Sequence, residues 1–124
     1  MDSTLKITKE QVQGNVHVTV FHLRGWLDAQ SEEALLASAR DSYEEGSRFL
    51  LLDLSEVDTL TSAGMRAMQK VYKVFTPAEE NFKVAHVKLC NAPPQVYHVL
   101  GITGFLLTIP NYETAQAAID SFSE

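Results

Sequence analysis

At 124 residues, 45% hydrophobic and 21% charged, the chain has the size and composition of one soluble globular domain over 1–124. Its net charge of -6 and pI near 5.1 exclude a general basic surface of the kind that holds nucleic-acid phosphates. No apolar run approaches the roughly 20 residues that span a bilayer. Met1–Glu10 lacks the apolar core of a signal peptide, and the lone Cys90 excludes an internal disulfide, so a reducing, cytoplasmic setting is expected.

Leu5 to Gln11 reads as a short extended segment, and Gln13-Gly14-Asn15 as a turn. Val16 to Leu23 alternates with period two, placing Val16, Val18, Val20 and His22 on one face and His17, Thr19, Phe21 and Leu23 on the other. The two segments make a hairpin, and Arg24-Gly25-Trp26-Leu27-Asp28 breaks the alternation. From Ser31, a candidate N-cap followed by Glu32 and Glu33, the pattern turns helical through Leu35, Leu36, Ala39 and Tyr43 to a stop at Gly46. Phe49 to Leu54 is nearly continuous apolar, as an interior strand covered on both faces requires. A second helix begins near Ser62, with Met65, Met68, Tyr72 and Phe75 on one face, and ends at Pro77. Phe82 to Leu89 is the next strand, and Pro93 opens a short helix to about Leu100. Gly101 and Gly104 bracket a turn, Phe105 to Ile109 reads as the last strand, and Asn111 is placed to cap a final helix through Phe122. The order is β-β-α-β-α-β-α-β-α, an α/β fold with right-handed crossovers after the first hairpin.

Three stretches in this order resemble a known family. His22-Leu23-Arg24-Gly25-Trp26-Leu27-Asp28-Ala29 is similar to an L-x-G-x-L-D segment after the second strand. Asp53-Leu54-Ser55-Glu56-Val57-Asp58-Thr59-Leu60-Thr61-Ser62-Ala63-Gly64-Met65 is similar to D-L-S-x-V-x-x-[MI]-D-S-[ST]-G. Val99-Leu100-Gly101-Ile102-Thr103-Gly104-Phe105 is similar to V-L-x-L-T-G-L. The family is the STAS domain, in particular the bacterial anti-sigma-factor antagonists. The resemblance implies a mixed β-sheet with helices packed mainly on one face. It also implies a non-enzymatic module that binds a GHKL-type serine kinase acting as anti-sigma factor. In that family the kinase phosphorylates a serine at the start of the second helix, here Ser62, and a phosphatase resets it. Thr61 stands where the pattern has Asp and Ala63 where it has Ser or Thr, which makes Thr61 a second candidate acceptor. The alternative is a scaffold subunit of a stressosome-like or membrane transport complex, and a homodimer is left open.

A serine at a helix start ordinarily serves as a cap, worth about 1 kcal/mol. Phosphorylated, Ser62 would gain about -1.5 to -2 charges at pH 7, which a helix start tolerates. Arg66 lies one turn on along the same face, with Lys70 and Lys73 continuing a stripe that is either solvated or a dock for an acidic partner. Asp28 and Asp53 are read as cap and strand-end hydrogen-bonding groups, Asp58 and Glu56 as loop charges, and Trp26 as buried. The partner-binding candidates are Asp28, Asp58, Thr61, Ser62, Gly64, Met65 and Arg66. The histidines show no ligand spacing and no nucleotide-binding loop occurs, so neither metal nor cofactor is expected.

Overall fold

The computed structural model describes residues 5–76 and 85–123. The expected helix stop at Pro77, the strand start at Phe82 and residues 1–4 lie outside them. Alternating side chains build β1 (Leu5–Gln13) and β2 (His17–Leu27), which pair antiparallel from Leu5↔Gly25 to Gln13↔His17. There follow α1 (Glu32–Glu44), β3 (Leu50–Leu60), α2 (Ser62–Phe75), β4 (Val87–Cys90), α3 (Pro94–Ile102), β5 (Asn111–Tyr112) and α4 (Ala115–Ser121). The sheet order is β1-β2-β3-β4-β5, with β2 through β5 mutually parallel. The mixed sheet and the element order agree with the reading from the sequence.

The central strand β3 needs cover on both sides. Leu50, Leu52 and Leu54 point to one face and Leu51 to the other, and all four are fully buried. On the first face they meet Phe21 and Leu23 of β2, with Leu35 of α1, Met68, Val71 and Phe75 of α2, and Leu100 of α3 in the same core. On the second, Leu51 packs with Val18, Val20 and Cys90 against Ala118, Ile119 and Phe122. Each such side chain contributes about 1.5–3 kcal/mol by leaving water. Three helices therefore share one face and α4 alone covers the other. Its 7 residues span roughly 10 Å, whereas the 11 residues of β2 span roughly 35 Å. The half of this face toward the carboxyl end of β2 is left to polar residues.

Three expectations are corrected. Strands β2 and β3 run on to Leu27 and Leu60, because register shifts between His22 and Arg24 and between Gly25 and Trp26 absorb the broken alternation as bulges. Residues Phe105–Leu107 form a 3-10 turn and no strand. Gly104, at φ +76, turns the chain, and Phe105 and Ile109 enter the core one helical turn apart. Asn111 belongs to β5, and Thr114 caps α4 by accepting from the Ala117 amide.

The junction between β2 and α2 fixes how the second helix sits. The Thr61 amide donates to the Leu27 carbonyl at 3.0 Å, and Gly64 lies so close that a Cβ there would overlap that same carbonyl. Replacing Gly64 with Ala is expected to cost about 3 kcal/mol, since backbone cannot step aside as a side chain does. By contrast, Gly101 in α3 faces open space, and Gly101→Ala should gain about 0.5 kcal/mol. Urea denaturation of the two variants checks both signs.

Candidate functional site at the start of α2

The two hydroxyls offered by the sequence have different neighbours. Thr61 is the N-cap: its Oγ1 accepts from the Gly64 amide at 3.2 Å and donates toward the Leu27 carbonyl at 3.4 Å. Ser62 is the first residue of α2 and is exposed, and among the described residues its hydroxyl has no hydrogen-bond partner. The cap role expected of Ser62 therefore falls to Thr61, because the extended backbone at residue 61 aims that side chain back at the first-turn amides.

Around Ser62 the other candidates divide. Arg66 is exposed and, among the described residues, has neither ion pair nor hydrogen bond, whereas Lys70 is paired with Glu32 of α1. Gly64 and Met65 are buried. Gly64 serves the contact with Leu27, and the Met65 sulfur meets the Thr103 hydroxyl at 3.5 Å. Asp28 is half-buried and occupied as a cap: its Oδ1 accepts from the amides of Gln30 and Ser31, while Ser31 Oγ accepts from the Asp28 amide. Ser31 thus completes the Asp28 capping box and does not cap α1 with its own side chain. Asp58 is exposed on the far part of β3.

Trp26 is 49% exposed, contrary to the expectation of burial. Strand alternation from Val18 and Val20 places its side chain on the face that α4 partly covers, nearer the carboxyl end of β2. Ile102 and Leu107 are 70% and 92% exposed. They adjoin Thr103 and Thr108, which with Ser62, Arg66 and Gln69 line a hollow of about 250 Å³. Tyr97 is 50% exposed as well, beside a different hollow lined by Asn91, Pro94 and Asn111. Gln69 and the Thr103–Thr108 segment were not named as site residues from the sequence, although Thr103–Phe105 carried part of the family resemblance. Gln69 was legible as the residue seven places after Ser62, but the opposite wall comes from a remote part of the chain.

A second polar group sits on the open half of the sheet. His22 Nδ1 lies 2.7 Å from Asp53 Oδ2, and His22 Nε2 lies 2.7 Å from Glu10 Oε1. Both carboxylates are satisfied at once only by an imidazolium donating from both nitrogens. The Glu10 hydrogen bond, against the effect of burial and with help from Asp53, raises the His22 pKa above its usual value. Burial alone would raise the Asp53 carboxyl. The Ser55 amide, the His22 ring and the Asn91 amide outweigh it and hold Asp53 below the usual carboxylate range. Cys90 is pushed up to about 12 by burial and by Asp53, so it stays a thiol.

The family model of the STAS domain matches residues 9–118. The chain belongs to the STAS domain family. Among STAS relatives, a protein described as a candidate anti-sigma factor antagonist, BtrV of Bordetella bronchiseptica, is 28% identical over 118 residues, covering 95% of each chain. The crystal structure of an anti-sigma factor antagonist from Mycobacterium paratuberculosis superposes with a TM-score of 0.78 at 22% identity, covering 100% of this chain and 98% of that one. The anti-sigma factor antagonist SpoIIAA in its unphosphorylated form gives 0.70 at 20% identity, covering 93% and 94%. SpoIIAA of Bacillus in its phosphorylated form gives 0.64 at 18%, covering 93% and 97%. At these identities the structural likenesses establish the fold. No described helix is long and apolar enough to cross a membrane.

Two measurements check this geometry. Thr61→Ala should cost about 1 kcal/mol in urea denaturation by orphaning the Gly64 amide, while Ser62→Ala should stay within about 0.5 kcal/mol. The raised His22 pKa means that its contribution is fully present below about pH 6.5 and is lost as pH rises through the folded-state value. The stability deficit of His22→Asn should therefore be greatest near about pH 5.5 and shrink toward about pH 8.5; a deficit independent of pH contradicts the doubly bonded imidazolium.

Proposed function

We propose that this chain is an anti-sigma factor antagonist. It is a binding module without catalytic activity of its own, docks an anti-sigma factor of the serine-kinase class through the surface around Ser62, and is switched by phosphorylation there. The observation that carries the reading is the free, exposed hydroxyl of Ser62 at the first position of α2, beside a Thr61 hydroxyl already engaged with the Gly64 amide and the Leu27 carbonyl. STAS membership, and the names borne by BtrV and the superposed structures, support the partner class. The phosphorylated SpoIIAA structure is a precedent for a phosphorylated member of the fold.

In the switching step Ser62 Oγ attacks the γ-phosphorus of ATP held by the kinase. The Oγ–P bond forms, the bond to the β-phosphate oxygen breaks, ADP leaves, and the hydroxyl proton passes to a base of the kinase. The chain supplies the nucleophile and its placement; the nucleotide belongs to the partner. The new charge of about -1.5 to -2 arrives where first-turn amides favour anions, so the fold persists while the docking surface changes sign. Thr61 in place of the pattern's Asp is compatible with this, because threonine and aspartate are both N-cap formers.

The test is incubation with ATP and the anti-sigma-class serine kinase of the same organism, read by mass spectrometry and by pull-down. One phosphate on Ser62, absent in Ser62→Ala and retained in Thr61→Ala, with loss of kinase binding after phosphorylation, is the expected result. Phosphate confined to Thr61, or kinase binding indifferent to Ser62→Asp, overturns it. Stable co-purification with a large assembly regardless of phosphate favours the scaffold role instead.

A further inference from the structure

The hollow beside Ser62 has a composition unlike the rest of this acidic chain. On the α2 side it is lined by Ser62, Arg66 and Gln69, and from across the gap by Thr103 and Thr108, with Met65 and Phe105 also in its wall. Ser62, Arg66 and Gln69 share one helical face by their spacing of four and three. No carboxylate lines the hollow, although the chain carries 16 acidic residues. Arg24 has Glu56, Lys70 has Glu32, and Arg48 lies over the Tyr43 ring and bonds two carbonyls. Arg66 has no such partner, and among the described residues the Gln69 amide and the Thr108 hydroxyl are likewise uncommitted. The Thr103 hydroxyl is engaged with the carbonyls of Val99 and Leu100. Two uncommitted donors, Gln69 and Thr108, and one cation, Arg66, thus surround a free serine hydroxyl, in a volume of about 250 Å³, room for roughly eight waters.

We infer that this hollow is the seat of the phosphoryl group carried by Ser62, held by the Arg66 guanidinium and by the side chains of Gln69 and Thr108. The inference rests on the phosphorylation reading above and adds where the group goes. The phosphate folds onto the molecule's own surface across the gap between α2 and the Phe105–Leu107 turn. A guanidinium is suited to this, since its planar donors match phosphate oxygens two at a time. Seating the phosphate has two consequences for a partner. It fills the hollow between Ser62 and the Thr103–Thr108 segment, and it consumes Arg66, the cation in that wall without a partner among the described residues. The antagonist is then switched off by occupation of its own docking surface as well as by charge.

The experiment installs phosphoserine at position 62 by genetic encoding, so that its outcome does not depend on any kinase recognising the chain. The phosphate is titrated by 31P NMR, and amide shifts are compared with those of the unmodified protein. Beside Arg66 the second ionisation should fall by about one pKa unit relative to Arg66→Gln, and Arg66→Lys should recover part of that difference. Amide shifts should appear at Thr103–Thr108 as well as along Ser62–Gln69. Identical titrations in wild type and Arg66→Gln overturn the inference. So does an Arg66 effect with Thr103–Thr108 unmoved, which would mean a phosphate held in open solvent. Because Arg66 is exposed and unpaired, its variants should fold, and unchanged spectra elsewhere in the chain verify that. Failure of a kinase to modify Ser62 would count against the proposed function and leave this result standing.

Discussion

The Leu27 carbonyl is the point on which the arrangement of this molecule turns. It accepts the Thr61 amide, is approached by the Thr61 hydroxyl, and presses so closely on Gly64 that no side chain fits there. One backbone oxygen at the end of β2 therefore sets both the direction in which α2 leaves the sheet and the division of labour between two adjacent hydroxyls. Thr61 spends its hydroxyl on the first-turn amide of Gly64. Ser62 is turned outward with its hydroxyl unspent. On the proposed function, the site another protein must reach is built on a strand-to-helix junction that leaves the Ser62 oxygen unused in the structure.

The rest of the fold explains why this end of the sheet is open. Three helices are needed to bury the Leu50, Leu52 and Leu54 face, and a single short helix buries Leu51 on the other. Beyond the reach of α4 the second face carries the Glu10–His22–Asp53 chain and the exposed Trp26 in place of a core. Charged groups in this position are held by pairing: the His22 ring bridges two carboxylates, and Arg24 approaches Glu56. The ion pairs at the surface contribute little each to stability. Among the described residues the large exposed apolar side chains are Trp26 of β2, Tyr97 and Ile102 of α3, and Leu107.

The end of the molecule near Ser62 combines a cation, Arg66, without a partner among the described residues, and a free hydroxyl to which the proposed function assigns a phosphate. These are complementary levers. In the proposed switch, apolar contacts and the guanidinium would favour docking of a surface with carboxylates, and phosphorylation would act on that charged term. No refolding is required, because a helix start is already an anion-tolerant place.

Much of this was written in the chain. Period-two alternation through Val16–Leu23, the continuous apolar run at Phe49–Leu54 and the Met65, Met68, Tyr72, Phe75 spacing determined the element order and which faces are buried, because burial of local side chains depends on local periodicity. The segment around Ser62 was legible for the same reason. What the chain could not state by itself were the relations between distant residues. Thr61 rather than Ser62 caps α2 because of where Leu27 lies; the His22 pKa is raised because β1 and β3 bring Glu10 and Asp53 to its two nitrogens; Trp26 is exposed because α4 is too short to reach it; and the hollow facing Ser62 exists because the turn after α3 closes against α2. Each of these is a contact across tens of residues, set by how sheet and helices pack, and no pattern within one segment encodes it.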